Sequence, residues 1–316
     1  MGVVQMGKGE HSKTLVVLLC LILVAVAFPI TANADMGPKA SVWIQFENMG
    51  DELCYGTLLS EMESTGPASV WDGTEENART YEEHPYSNYL VRAVWEAFVG
   101  YKDSDGYYFL QEGWAVSETK EIAWTYYPPP RFKILLYYPK TETFVSSGIY
   151  ERYAFDTYYT VDMSGVDIGS VEYNEGLGTN GRLNAYRSYH YWQETLSLLA
   201  RIALTIAIEM IVALLFGFRE KKQLLILIIV NLATQIALNV LLNIINYNSG
   251  PLAFTVFYVL LEIIVFAMEA VLYCKILKKA SEQQKKNWYY VAYSFVANSV
   301  SFGSGFFLAR ALPGIF

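Results

Sequence analysis

Residues 223–274 read QLLILIIVNLATQIALNVLLNIINYNSGPLAFTVFYVLLEIIVFAMEAVLYC, and the predicted architecture follows largely from this segment. It consists of two long apolar runs separated by the turn-forming segment NYNSGP at residues 246–251. Each run is long enough to cross a bilayer as a helix, which takes about 20 predominantly apolar residues. Both runs also contain amide or carboxyl groups, which lipid does not solvate. The stretch therefore predicts two membrane helices whose polar side chains face protein.

Similar apolar runs lie before and after this stretch, so the C-terminal region contains four predicted spans. Their approximate bounds are residues 195–218, 223–246, 252–274 and 288–310. Hydrophobic residues make up 53% of the chain and charged residues 17%, which is typical of a part-membrane protein rather than a soluble enzyme. We therefore predict a four-helix transmembrane bundle over residues 195–316.

Strongly polar side chains inside the predicted spans form the candidate site. They are Glu209, Asn231, Gln235, Asn239, Glu262, Glu269 and Asn298. Those of the second span recur every four residues and those of the third are seven apart, so on a helix each set shares one face. Counting the helical rise from the charged ends predicts two polar layers, with Asn298 near the middle of the bilayer and Glu269 nearer its inner side.

Three interpretations of this cluster are open. The groups could hydrogen-bond between helices as structural glue, worth about 0.6 kcal/mol for each bond. They could instead form a proton or cation pathway, because the three glutamates have no basic residue at their depth. Intramembrane catalysis is the third, and it is disfavoured because the spans contain neither aspartate nor histidine.

Charge sets the predicted topology. Basic residues cluster at 219–222 and again at 275–286, and the positive-inside rule places both segments in the cytoplasm. The N-terminus has basic residues, an apolar run at 15–28 and the small-residue segment Ala32-Asn33-Ala34, which together indicate a signal peptide over residues 1–34. Both rules place the following domain outside.

Residues 35–175 show short β-like runs punctuated by Gly, Pro, Asp and Ser. The predicted strands are residues 41–46, 107–110, 121–127, 132–137 and 158–161, and residues 89–99 are a predicted helix. Short, evenly spaced strands favour an exported β-sandwich of immunoglobulin-like or transthyretin-like shape. Residues 176–194 are predicted to be a juxtamembrane linker with an aromatic belt that includes Trp192.

The exported domain is acidic. Residues 35–190 contain about 24 acidic and about 11 basic side chains, a net charge of roughly −13, which disfavours nucleic acid and favours cations or basic peptides. Asp103-Ser-Asp-Gly106 resembles the opening of a calcium loop but lacks the later acidic ligand, so a simple turn is the simpler interpretation. Tyrosine doublets such as Tyr137-Tyr138 are expected to place one ring in the core and one outside.

No catalytic, metal or cofactor motif is present. The domain has no nucleophile elbow and no Cys with a partner His, and the three histidines have no ligand-spaced partners. Cys54 is the single cysteine of residues 35–194, so we expect no disulfide within the exported domain. We therefore expect a protein that is not an enzyme.

Three fragments of the helical region carry a resemblance. They are Asn231-Leu-Ala-Thr-Gln235 with Asn239, the segment from Glu262 to Glu269, and Ser294-x3-Asn298-x2-Ser301-x3-Gly305. In these fragments the chain resembles uncharacterised bacterial envelope membrane proteins with a signal peptide, an exported β-rich domain and four C-terminal transmembrane helices. The resemblance implies a shared architecture and a bacterial envelope location, and it implies no activity. With the topology above, we expect the cytoplasmic membrane, with the N-terminal domain exported and the C-terminus outside.

Two function classes remain open. The favoured one is a non-enzymatic envelope protein whose exported acidic domain binds a peptide, polysaccharide or cation and is anchored by the bundle. The alternative is a small proton- or cation-coupled transporter, or a transport accessory, that uses the intramembrane glutamates. The expected partners are the lipid bilayer, an extracellular ligand and other membrane proteins, and no nucleic acid.

Overall fold

The computed structural model describes residues 37–62, 81–83, 90–166 and 183–311, with side chains to Gly305 and at Phe307. The predicted signal peptide lies outside the described residues. The N-terminal half forms two four-stranded sheets with strand orders β4-β1-β7-β8 and β3-β2-β5-β6. The strands are β1 Ser41–Glu47, β2 Tyr55–Ser60, β3 Tyr108–Phe109, β4 Glu121–Trp124, β5 Arg131–Tyr138, β6 Thr143–Glu151, β7 Asp156–Asp162 and β8 Ala185–Arg187.

The two sheets share one apolar core. Ile44 of β1 and Val161 of β7 pack in the same buried cluster as Ile134 of β5, and all three are fully buried. Most neighbouring strands run antiparallel, but β1 and β7 are parallel and are paired along their whole length. Strand β8 pairs with β7 inside the segment predicted as linker, so the chain joins the first sheet before it enters the helical region.

The second sheet is covered on both faces. Helix α1, Arg92–Gly100, packs its buried Trp95 and Phe98 against that sheet, while α2, Val116–Thr119, precedes β4. Tyr138 therefore faces the core between the sheets and Tyr137 faces α1, and both rings are buried. For this doublet the prediction of one exposed ring is wrong, because a helix covers the face that was expected to meet water.

The C-terminal half is helical. Its elements are α3 Tyr191–Leu215, α4 Lys221–Leu272, a π-helical turn Tyr273–Leu277, the short α5 Lys278–Ala280 and α6 Asn287–Ala311. The second and third predicted spans both lie in α4, which is interrupted at Gly250, where φ is +79°, just before Pro251. We call residues 221–249 the first arm and residues 251–272 the second arm.

The two arms fold back on each other. Thr234 of the first arm bonds Glu269 of the second, and Asn231 accepts a hydrogen bond from Tyr273. Further from the bend, Gln223 Nε2 donates to Ser281 Oγ at 3.0 Å. Because partners lie at similar distances on either side of Gly250, α4 is an antiparallel hairpin with its bend at that glycine.

The polar ends of the helices meet on one side. Glu220, in the turn after α3, accepts hydrogen bonds from the backbone of Glu282, and Tyr289 OH donates to the Phe216 carbonyl. At the opposite end the β-domain contacts the bend of α4, where Phe155 N donates to Tyr247 O at 2.8 Å. The two basic segments thus share one end and the β-domain occupies the other.

Large apolar side chains cover the outside of the helical region. Leu215 is 80% exposed and Phe307 is 71% exposed, and many Leu, Ile and Val side chains of α3 and α4 are more than 40% exposed. A soluble surface rarely carries apolar area so continuously. Two helical stretches, Tyr191–Leu215 and Lys221–Ala280, are long and apolar enough to span a membrane by length and composition.

Candidate functional site

Glu269 lies at the centre of a buried polar cluster between the helices. Its side chain is fully buried, and Thr234 Oγ1 donates to Oε1 at 2.7 Å while Asn298 Nδ2 donates to Oε2 at 2.7 Å. These contacts join both arms of α4 to α6. Each carboxyl oxygen therefore has a close donor, an arrangement that stabilises the ionised form.

The backbone fixes the orientation of the Asn298 amide. Asn298 Nδ2 also donates to the Ser294 carbonyl at 2.9 Å, and a carbonyl only accepts, so the nitrogen must point toward both oxygens. The amide oxygen Oδ1 is then turned away and makes no hydrogen bond in the described structure. The cluster thus contains a buried acceptor that is unused.

Glu209 of α3 is the second fully buried carboxyl of the cluster, and it is less well bonded. Ser301 Oγ lies 3.5 Å from its Oε1, at the limit for a hydrogen bond, and its Oε2 has no partner. The Asn231 amide lies near this carboxyl as a further donor group, just beyond hydrogen-bond distance, and Glu269 lies close enough to repel it when both are charged. Asn231 is itself fully buried and its Nδ2 makes no hydrogen bond.

Two tyrosines close the cluster on its basic-end side. Tyr273 OH donates to Asn231 Oδ1 at 2.9 Å, and Tyr293 OH donates to the backbone oxygen of Glu209 at 3.4 Å. Both rings are fully buried and pack 5.5 Å apart. They separate the cluster from the end where the basic segments lie.

The structure brings together four of the seven predicted residues and places the other three nearby. Glu209, Asn231, Glu269 and Asn298 belong to the cluster. Gln235 and Asn239 bond each other along the first arm, with Asn239 Nδ2 2.9 Å from the Gln235 carbonyl. Glu262 lies next to Tyr258, one to two turns nearer the β-domain, and its Oε2 has no partner.

The predicted layering is wrong for Asn298. It was placed in a separate, middle layer, yet it bonds Glu269 directly. Rise per residue gives depth along one helix, whereas the relative shift of α6 against α4 is set by packing. Thr234 and Tyr273 were missed as well, although each is one turn from a predicted site residue on the same face.

The cluster has no basic partner in the described structure. Arg201 is the nearest basic residue along α3, and it lies toward the β-domain end, where its Nη2 donates to Asn243 Oδ1 and its guanidinium sits over Phe254. No ion pair forms among the described side chains of residues 191–305. Two carboxyls therefore share a buried environment without a compensating cation from the described residues, which disfavours both being ionised at once.

In the β-domain, the segment that resembled a calcium loop is occupied by a side chain of the protein itself. Lys133 Nζ lies 2.5 Å from Asp103 Oδ1 and 2.9 Å from Asp105 Oδ2, and Lys133 is 1% exposed. Within the described residues, no group of three or more His, Cys, Asp or Glu is arranged to hold a metal ion. The interpretation as a turn agrees with this geometry.

No family model matches the chain, and no curated protein or solved structure is significantly similar to it.

Proposed function

We propose that this protein is an integral membrane protein that binds a proton or a small cation between its helices, as a small transporter or a transport accessory. In this proposal the helices form a four-span bundle, and the two sheets form an exported sandwich of immunoglobulin-like or transthyretin-like shape. One observation carries the proposal. Glu209 and Glu269 are fully buried in one cluster and have no basic partner among the described residues.

The unpaired atoms of the cluster argue against structural glue as its sole role. Polar groups that serve only to join helices are expected to satisfy one another, since each unsatisfied buried group costs about 1 to 3 kcal/mol. Here Glu209 Oε2, Asn231 Nδ2 and Asn298 Oδ1 all lack partners, although they belong to the same cluster. A site that gains and loses a positive charge requires polar atoms that are not already hydrogen-bonded to one another.

The shared end of the two basic segments supports the proposed topology. If those segments are cytoplasmic, as the positive-inside rule predicts, the β-domain at the opposite end is outside. Trp192 and Trp288 are 76% and 66% exposed near opposite ends of the helical region, as interfacial aromatic residues would be.

Flux through liposomes tests the transport proposal. The purified full-length chain is reconstituted, and proton, sodium and potassium movement is followed with ion-sensitive dyes under an imposed gradient. We expect flux with the wild type and at least a roughly tenfold loss in Glu209→Gln and Glu269→Gln. Glu282→Gln, which alters an exposed loop carboxyl, is the matched control and should retain flux. Absence of flux in folded wild-type protein would argue against a transporter.

A binding role for the exported domain is a second proposal. Its support is the roughly −13 charge of residues 35–190 together with exposed apolar and aromatic side chains, of which Tyr186 is 52% and Ile149 42% exposed. We expect the full-length chain in nanodiscs to bind basic peptides, polysaccharides or cations, and Tyr186→Ala to weaken peptide or glycan binding. A blank result against glycan and peptide arrays would remove this proposal.

A further inference from the structure

The two buried carboxyls differ in how they are bonded, and this difference assigns them different roles. We infer that Glu209 is the group that carries the exchangeable proton, whereas Glu269 is held as the resident anion. The inference deepens the proposed function, on which it rests, because it identifies the bound species as a proton and names the atom that takes it.

Hydrogen bonds hold Glu269 in its ionised form. Its two oxygens each accept a bond of 2.7 Å, one from Thr234 and one from Asn298. The Asn298 nitrogen cannot be exchanged with its oxygen, because it also donates to the Ser294 carbonyl. A proton on Oε2 would have to displace the Asn298 donor. A proton on Oε1 would have to turn the single Thr234 hydroxyl hydrogen toward the Val230 or Asn231 carbonyl, each 3.1 Å from Oγ1, so the present contacts favour the ionised form.

Glu209 has the opposite environment. Among the described residues, its one donor within hydrogen-bond distance is Ser301, at the 3.5 Å limit, and the Asn231 amide lies nearby but beyond that distance. One oxygen therefore makes no hydrogen bond, although the residue is fully buried. A fully buried carboxylate with so few donors is strongly disfavoured relative to the neutral acid. A proton at Oε2 removes that charge.

The groups around Glu209 reinforce the assignment. From the second arm of α4 it faces Glu269 and, further away, Glu262, and both are acidic. From α6 it faces Tyr293 and Ser301, which are neutral donors, and from the first arm it faces Asn231. Since every charged neighbour is negative, a proton on Glu209 also relieves repulsion with Glu269.

The assignment also disfavours an alkali cation as the bound species. A sodium or potassium ion requires several oxygen ligands directed at one point. The Glu269 oxygens are already covered by a hydroxyl and an amide N–H, and the Asn231 oxygen accepts from Tyr273. A proton needs only one acceptor atom, and Glu209 Oε2 supplies it.

Carbodiimide labelling tests this assignment in the intact protein. Dicyclohexylcarbodiimide dissolves in the membrane and reacts with a protonated carboxyl. The acid transfers its proton to a carbodiimide nitrogen, and its oxygen bonds to the carbodiimide carbon to give an O-acylisourea. The acyl group then migrates from that oxygen to nitrogen, which gives a stable N-acylurea. The full chain in liposomes is treated over a range of pH, and the modified residue is identified by peptide mass spectrometry. We expect Glu209 to be modified at least about tenfold more than Glu269. Only the protonated carboxyl reacts, so a roughly tenfold difference in proton affinity between the two groups would produce this ratio. Sodium or potassium ions at constant pH should leave the labelling unchanged.

A variant of Thr234, which bonds Glu269, tests the assignment without changing either glutamate. Thr234→Val removes one donor to Glu269 at nearly constant volume, so labelling should appear on Glu269. Thr255→Val, at an exposed threonine of the second arm that bonds only the Pro251 carbonyl, should leave the wild-type pattern. Preferential labelling of Glu269 in the wild type, protection by an alkali cation, or no labelling of either residue would overturn the inference. Flux measured on the same liposomes reports separately on the proposed function.

Discussion

At the scale of single residues, Lys133 shows how strongly one buried charge constrains the β-domain. Its ammonium group is bonded to Asp103, whose side chain is 0% exposed, and to Asp105, whose side chain is 48% exposed. Removing one partner of a buried pair leaves an uncompensated charge, which costs about 3 to 5 kcal/mol. We expect Lys133→Met to lower the unfolding free energy of the β-domain by this amount in a denaturant titration followed by tryptophan fluorescence.

Lys140→Met is the matched control for this prediction, because Lys140 is exposed and should be nearly neutral. A second measurement separates the turn from a calcium loop. If Lys133→Met were stable and calcium raised its unfolding midpoint, the two aspartates would be a cation site and the assignment as a turn would be wrong.

Glu112 gives the β-domain a predicted dependence on pH. Burial raises the pKa of this carboxyl from its ordinary 4.5 to about 7. The folded state therefore binds the proton more tightly than the unfolded state, so stability is highest below about pH 4.5, falls as the pH rises to about 7, and then levels off. We expect Glu112→Gln to be more stable than wild type at pH 8 by roughly 1 to 3 kcal/mol and to lose this slope. The same substitution at exposed Glu118 should leave the slope in place, and an unchanged slope in Glu112→Gln would contradict the prediction.

The candidate site shows how far individual residues can be interpreted from the sequence. Polar residues in apolar runs predicted four of the cluster members, because the bilayer penalises such groups wherever they are not functional or paired. The pairing itself was not predictable. Which carboxyl is well bonded depends on Thr234 and Asn298, which come from different helices and are brought together only by packing.

Among the secondary structure elements, strands and helices with a clear local pattern of apolar and polar residues were predicted best. Each of the five predicted β runs overlaps a strand, and residues 89–99 overlap α1. Strands β2 and β6 were missed because they lack clear alternation between apolar and polar residues, and β8 was missed because its three residues lie in the segment interpreted as a linker. In β2 five of six residues are buried. One of them is Gly56, and the space that a side chain would occupy there is filled by Val116, Ile122 and Leu136. Strand order and the parallel pairing of β1 with β7 depend on contacts between residues far apart in sequence, which no local period encodes.

The bend in α4 supplies a prediction at the same scale. At Gly250, a β-carbon would lie 2.5 Å from the ring of Phe155, and φ is +79°. With ψ at −178° the backbone lies in a region that essentially only glycine adopts, so Gly250→Ala adds a clash to roughly 1 to 3 kcal/mol of backbone strain. We expect it to separate the β-domain from the bend, so that the Phe155 amide, which donates to Tyr247, exchanges its hydrogen at least about tenfold faster.

Gly217 provides the control for this prediction. Its φ is +81°, but nothing lies within 4 Å of its β-carbon position, so Gly217→Ala carries positive-φ strain without a clash. Exchange at Phe155 should be unchanged in that variant. Adding Phe155→Ala to Gly250→Ala should recover part of the lost thermal stability, and equal effects of the two glycine variants on exchange at Phe155 would show that the contact with Phe155 is unimportant.

At the scale of the whole molecule, the two halves are joined rather than merely linked. Besides the bond from Phe155, the rings of Tyr153 and Tyr189 lie 6.4 and 5.2 Å from that of Tyr247 at the bend. The Arg187 guanidinium lies 4.5 Å from the Tyr153 ring. The same hairpin carries Thr234 and Glu269, so a displacement of the β-domain at the bend would act on the element that holds the resident anion. The sequence alone did not indicate this contact, because aromatic residues near a membrane surface are equally typical of an interfacial belt.

The topology is the last prediction, and it follows from the ends of the molecule. Glu121 lies on the edge strand β4 and Glu282 lies in the loop beside Glu220, and both side chains are exposed. Cysteines are introduced at these two positions in separate chains that also carry Cys20→Ser and Cys274→Ser. The remaining Cys54 is fully buried and burial raises the pKa of its thiol to about 12, so it should not react in the folded protein.

In right-side-out membrane vesicles, a membrane-impermeant maleimide should label Glu121→Cys, whereas Glu282→Cys should react only after the membrane is permeabilised. Labelling of Glu282→Cys in sealed vesicles would place the basic segments outside and invert the arrangement, because the two basic segments share one end of the helices and must lie on the same side.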